Sequence, residues 1–377
     1  MYTIILGTAY PYRGGGIAAL NERLATEYVN TGHKVEIITF TLQYPNFLFP
    51  GKTQYSDGPA PEHLHIERMA NSCNPLNWVK VGREIARRRP DVLIIRYWLP
   101  FMAPCLGTIA RVARRNGHTR VVSIVDNIIP HEHRPGDRLF SRYFVGSCDA
   151  FVAMSKSVLK ELDIFDSKKP RFFCPHPIYD HYGERIGKAE AKQHLNLEED
   201  CRYVLFFGFI RGYKGLDLLL QAFADRRLEG LNVKLIVAGE FYGDPKPYMD
   251  LIAQLGIADR IVLRTDFIAE EEVKYYFGAA DIVAQPYKSA TQSGVTQVAY
   301  HFEKPMLVTR VGGLPEIVPH GRAGYVVEPD AKQIADALTD FFENNREEAF
   351  ATTVAEEKKK YAWTNLTGGI EKLLKEC

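Results

Sequence analysis

A chain of 377 residues is too long for one ordinary hydrophobic core, and length alone points to two or three domains. A formal net charge of +1 gives no support to a polyanion-coating role, and no apolar run approaches the roughly 20 residues that span a bilayer. The six cysteines are scattered without a C-x-x-C pair, which argues against zinc and against a disulfide framework and for a reduced, cytoplasmic protein.

The opening stretch has no basic region ahead of its apolar residues, so 3–10 reads as a buried strand rather than a signal peptide. A helix over 19–32 ends at Gly32. Strands follow at 34–40, 91–98 and 120–126, separated by helices at 81–90 and 107–117. Strands apolar on both faces and alternating with helices imply a parallel sheet covered on both sides, a doubly wound α/β unit. Residues 174–200 are polar and carry two prolines, as a linker would. The pattern then restarts, with strands at 202–210, 233–240, 260–267, 281–287 and 305–311. The tail from about 343 is helical around Trp363. The expected organisation is a first domain over 1–180 that also takes 356–377, and a second over 181–355. In such sheets ligands sit beyond the carboxyl ends of the strands, so two Rossmann-like domains would face each other across a cleft lined by those loops.

Five of these loops carry chemistry. Gly14, Gly15 and Gly16, between the first strand and helix, would let backbone approach an anion at a helix N-terminus, although the spacing is not the dinucleotide fingerprint and a flexible turn reads equally well. In Gly208–Gly215, Arg211 and Lys214 suit a diphosphate, the alternative being two solvated cations. Ser289–Gln297 is rich in hydroxyls and leads into a helix. It reads as an oxygen-binding loop or as a capping turn. Asp126–His133 crowds polar groups at a strand end, where Asp126 or His131 would orient a reacting hydroxyl. His131 and His133 lack a matching carboxylate cluster, so no metal is expected. Gly312–Glu316 is a Gly-Gly turn ending in an acid, or simply a helix start.

Taken together, these residues resemble glycosyltransferase family 4, the large retaining GT-B family. The likeness covers nearly the whole chain and is most specific over 204–316. It rests on Arg211, Lys214 and Gly215, on Pro286-Tyr287, on Lys304-Pro305 and on Gly312-Gly313-Leu314-Pro315-Glu316. Two features depart from the family. Its glutamate pair would fall at 290 and 298, where Ala290 and Val298 stand, and its phosphate arginine lies two places late, with Phe209 in its usual position. A subgroup of the family shares both departures together with an Asn-x-x-Pro-His-Glu stretch, and this sequence matches it.

The resemblance implies a nucleotide-diphosphate sugar as donor, held by Gly15, Gly16, Gly239, Phe267, Gln292, Ser293, Gly294, Gln297 and Glu316, with Phe267 at the base. It assigns Arg211 and Lys214 to the leaving diphosphate, and Asp126 and His131 to the acceptor or the donor sugar. No cofactor and no nucleic acid are expected. A glycan, a lipid-linked sugar or a small alcohol would be the acceptor. Lys80, Arg83, Arg87, Arg88, Arg89, Arg111, Arg114 and Arg115 lie on helices of the first domain. They form either a solvated surface or a basic face for anionic lipid at the inner membrane. A non-catalytic nucleotide-sugar-binding partner or a GT-B epimerase is the other reading.

Overall fold

The computed structural model describes residues 1–12, 16–45, 54–55, 59–129, 135–290 and 293–377. They form two compact units, one of Met1–His176 with Ala362–Cys377 and the other of Pro177–Tyr361.

The first unit runs β1 (Tyr2–Leu6), α1 (Gly16–Asn30), β2 (Lys34–Leu42), β3 (Ile66–Asn71), α2 (Pro75–Arg88), β4 (Val92–Tyr97), α3 (Ala103–Ala113), β5 (Arg120–Val125), α4 (Asp137–Val145), β6 (Ala150–Ala153), α5 (Lys156–Leu162) and β7 (Arg171–Phe173). Its sheet has the order β3-β2-β1-β4-β5-β6-β7 and every pairing is parallel. β4 is buried along its whole length, because helices cover both faces. Each fully buried Ile, Leu or Val there contributes roughly 1.5–3 kcal/mol.

The second unit begins inside the segment that reads as a linker. There α6 (Lys188–His194) seats Ala191 in the core, and Tyr182 and Ile186 pack beside it. β8 (Arg202–Phe207), α7 (Leu216–Phe223), α8 (Arg226–Glu229), β9 (Val233–Ala238), α9 (Lys246–Leu255), β10 (Ile261–Arg264), α10 (Val273–Ala279) and β11 (Ile282–Gln285) follow. The unit continues through α11 (Gly294–His301), β12 (Met306–Thr309), α12 (Leu314–Ile317), β13 (Gly324–Val327), α13 (Ala331–Glu343) and α14 (Glu347–Glu357). Its sheet, also parallel throughout, has the order β10-β9-β8-β11-β12-β13.

The last helix, α15 (Trp363–Glu376), belongs to the first unit. Trp363 is buried, with the Arg23 guanidinium 5.0 Å from its ring, and Gly369 leaves room for the ring of Phe172. The units divide at His176/Pro177 and Tyr361/Ala362, against the 180/181 and 355/356 read from the sequence. None of the six cysteines is paired. Among the described residues no helix is long and apolar enough to cross a membrane.

Candidate active site

In the second unit the strand order reverses direction between β8 and β11. At such a switch point the loops after the two strands diverge and leave a crevice at their carboxyl ends. The loop after β8 holds the cations, and the loop after β11 holds Ser293.

The β8 loop is shaped by a few contacts. Gly208 has φ +92°, a conformation open to glycine, and Ile210 is driven into the core beside Phe206 and Leu216. Anchoring Ile210 leaves Arg211 outside and carries the chain into a single 3₁₀ turn, Gly212–Lys214, which ends at Gly215 with φ +70°. Lys214 is only 9% exposed. Its Nζ stands 3.1 Å from where a Gly208 side chain would begin and 5.7 Å from the centre of the Tyr287 ring. Burial, and then the nearby Arg211 charge, pull its pKa down to about 8. Among the described residues no carboxylate pairs with it.

The two loops are laced together. The Lys288 N–H donates to the Tyr213 carbonyl at 2.7 Å, and the Lys288 ammonium pairs with Asp217. Tyr287 is buried, Thr309 donates to its carbonyl, and its hydroxyl meets Ser293 Oγ at 3.2 Å. Ser293 caps α11 by accepting from the Val295 N–H, so the capping reading of this serine holds. Gly294 leaves room for the ring of Tyr179. Gly239, φ +131°, lies where a side chain would meet the Gly208 carbonyl at 2.6 Å. Arg211, Lys214, Gly239, Ser293 and Gly294 therefore gather at one edge of this sheet.

The other residues expected at the donor spread out from there. Phe267, 70% exposed, follows β10 and lines a cavity of about 180 Å³ with Arg264, Ile268, Glu272 and Tyr276. Gln297 is buried, and its Oε1 has no partner among the described residues. Val298, at one of the missing acids, is in the apolar core, and Ala290 packs on that core. Glu316 is exposed on the one-turn α12. Gly15, His131 and Gln292 lie outside the described residues. The sequence reading overlooked Tyr242, whose ring lies 4.1 Å from the Arg211 guanidinium. Its signal was an aromatic pair, Phe241-Tyr242, in the loop after the buried strand β9.

In the first unit, Gly16 opens α1 and Asp126 follows β5. Both Asp126 oxygens accept from Arg96 of β4, at 2.6 Å from Nε and 2.8 Å from Nη2, so the carboxylate is held in one orientation. Half of the basic face is spent inside the unit. Arg87 and Arg88 pair with glutamates, Arg111 donates to backbone carbonyls and Arg114 pairs with Asp149, which leaves Lys80, Arg83, Arg89 and Arg115. A larger concavity, about 290 Å³, is lined by Tyr2, Lys34, Glu36, Glu67, Arg87 and Arg88 at the amino ends of the strands. Its charges already satisfy one another, and it lies at the edge opposite the loops just described.

Residues 14–170 match the family model described as Glycosyltransferase Family 4, and residues 201–344 match Glycosyl transferases group 1. A D-inositol 3-phosphate glycosyltransferase of Streptomyces avermitilis is 30% identical over 52% of this chain, a match spanning only 45% of that relative. An uncharacterized glycosyltransferase of Methanocaldococcus jannaschii is 26% identical over 95% of this chain and 93% of its own. Among solved structures, Anabaena HepE in complex with UDP superposes with a TM-score of 0.74 at 16% identity, each chain covered in full. The chain belongs to the family 4, group 1 glycosyltransferases and has their GT-B fold of two parallel-sheet α/β domains.

Proposed function

We propose that this glycosyltransferase moves a hexose-type sugar from a nucleoside diphosphate donor to a glycan, lipid-linked or small-alcohol acceptor, with retention of configuration and without a metal ion. The observation that carries the reading is Lys214: a buried cation at the switch point, with no carboxylate partner among the described residues. A buried charge that the protein leaves unpaired needs a counter-charge, and a diphosphate supplies it. UDP and UDP-glucose bound to the Anabaena neighbour support the donor class.

The acceptor oxygen bonds to the anomeric carbon as the bond from that carbon to the phosphate oxygen breaks. Attack comes from the same face, and the departing phosphate takes the acceptor proton. Arg211 and Lys214 stabilise the charge that builds on the phosphate. Amides near Gly15, Gly16, Ser293 and Gly294 add donors, and Phe267 covers the base. Asp126, fixed by Arg96, and His131 orient the hydroxyls. Gln292, Ser293 and Gln297 stand in for the missing acids.

Lys214→Ala should cost about 2–4 kcal/mol of transition-state stabilisation, read as kcat/KM. Turnover like that of the unsubstituted enzyme removes the diphosphate role. The core position of Val298 favours one second reading, a non-catalytic nucleotide-sugar binder. That reading requires that no nucleoside diphosphate be released from any bound donor.

A further inference from the structure

Arg211 is the exposed member of the cation pair, and an arginine in solvent is expensive to immobilise. Among the described residues no carboxylate holds it. Its guanidinium lies instead over the ring of Tyr242, at 4.1 Å. The two residues come from different loops, yet their spacing is fixed. The Ile210 N–H donates to the Glu240 carbonyl at 2.8 Å and the Tyr242 N–H to the Ile210 carbonyl at 2.9 Å, so the β8–β9 ladder continues past the strand ends. Phe209 then meets Tyr242 edge to face, with centroids 5.7 Å apart and planes at 72°. Both rings are about half exposed, and apolar surface left in water beside a functional cation calls for a reason.

The reason follows from what a π face does to a cation. A carboxylate would hold Arg211 but cancel its charge and use up its N–H donors. An aromatic face holds the guanidinium flat through its quadrupole while the rim of N–H groups stays open to an incoming anion. Resting on the reading that Arg211 meets the diphosphate, we propose that Tyr242, braced by Phe209, is a positioning residue that presents the Arg211 guanidinium to the donor without neutralising it. Phe209 stands where the related family motif has its own phosphate arginine, so the aromatic brace and the displaced arginine form one arrangement. The depressed Lys214 pKa, caused in part by Arg211, is consistent with a guanidinium held close.

The test is a double-mutant cycle on binding of inorganic pyrophosphate and of UDP, measured by calorimetry from pH 6.5 to 9.5. Arg211→Ala should weaken pyrophosphate at least tenfold. Tyr242→Leu should weaken it about three- to fivefold, the value of an exposed cation–π contact. Tyr242→Phe, which keeps the ring, should bind within twofold of the unsubstituted protein. In the Arg211→Ala background Tyr242→Leu should have no effect. The pH at which binding falls off should move upward in Tyr242→Leu, toward its position in Arg211→Ala. Arg211→Ala weakened with Tyr242→Leu unchanged, or the two losses simply multiplying, overturns the positioning role and leaves the diphosphate reading intact. Arg211→Ala binding normally overturns both.

Discussion

A side chain placed on Gly215 would begin 1.9 Å from the carbonyl oxygen of Pro286. The loop that carries Lys214 and the loop that leads to Ser293 are therefore in backbone contact, and glycine alone permits it. With φ at +70° as well, Gly215→Ala should cost about 2–4 kcal/mol in urea unfolding, since the backbone itself must shift. Gly212 is the control. It lies in the same turn with open space around it and should tolerate alanine within about 0.5 kcal/mol. Equal effects at the two positions would show that loop contact has no part in the loss.

Lys214 makes the site pH-dependent in a definite direction. Its folded pKa of about 8 lies below the ordinary 10.5. Below pH 8 the lysine is charged in both folded and unfolded chains, and the folded state bears the cost of burial. Between pH 8 and 10.5 the unfolded chain holds the extra proton, so this group makes the unliganded protein more stable as pH rises. Anion binding runs the other way. Pyrophosphate affinity should fall up to about tenfold per pH unit above pH 8, and Lys214→Met should flatten that limb. Persistence of the limb in the methionine variant would assign it to another group.

Much of this architecture is visible in the chain itself, and the exceptions have physical causes. Strands such as β4 and β8 are apolar on both faces and announce a parallel sheet. β7 is three half-buried residues, and β3, Ile-Glu-Arg-Met-Ala-Asn, mixes charges into an edge strand, so neither forms a readable run. α6 hides in polar sequence because only a short helix is needed to seat Ala191. That two cations follow a buried strand in one loop is visible in the sequence. That Lys214 turns inward while Arg211 stays out depends on Ile210 entering the core, a tertiary event. The clamp on Asp126 comes from Arg96, thirty positions away on the neighbouring strand, and no local spacing encodes it.

Val298 bears on how the missing acids can be interpreted. It is buried between Gln297 and Ala299 on the core side of α11. Val298→Glu would bury a carboxylate without a partner and should cost about 3 kcal/mol or more. Ala290→Glu, at the half-buried sister position, should be tolerated far better. Thermal melts of the two variants decide the matter. A Val298→Glu protein as stable as the unsubstituted chain would mean that this helix has room to turn an acid toward the donor, and that glutamine is not its replacement.

Arg88 closes the opposite edge of the first unit. Its guanidinium reaches Glu36, Glu67 and Glu84, joining β2, β3 and α2. Hydrogen bonds from Arg88 are the largest cause holding the Glu67 pKa down at about 2. A carboxyl depressed in the folded state stabilises fully above its unfolded value of about 4.5, and that contribution is lost as pH falls through about 2. Arg88→Met keeps the apolar stem but takes the shared guanidinium from three carboxylates, leaving Glu36 with Lys34, Glu67 with His65 and Glu84 with Arg87. It should cost about 1–3 kcal/mol at pH 7, a range already reduced for partial exposure. The gap between variant and parent should then narrow as pH drops from 4.5 and nearly close by pH 2, because protonated glutamates no longer need the guanidinium. Urea unfolding at pH 7, 4 and 2.5 measures this directly. A gap that stays constant across that range would assign the loss to packing of the arginine stem rather than to its charge.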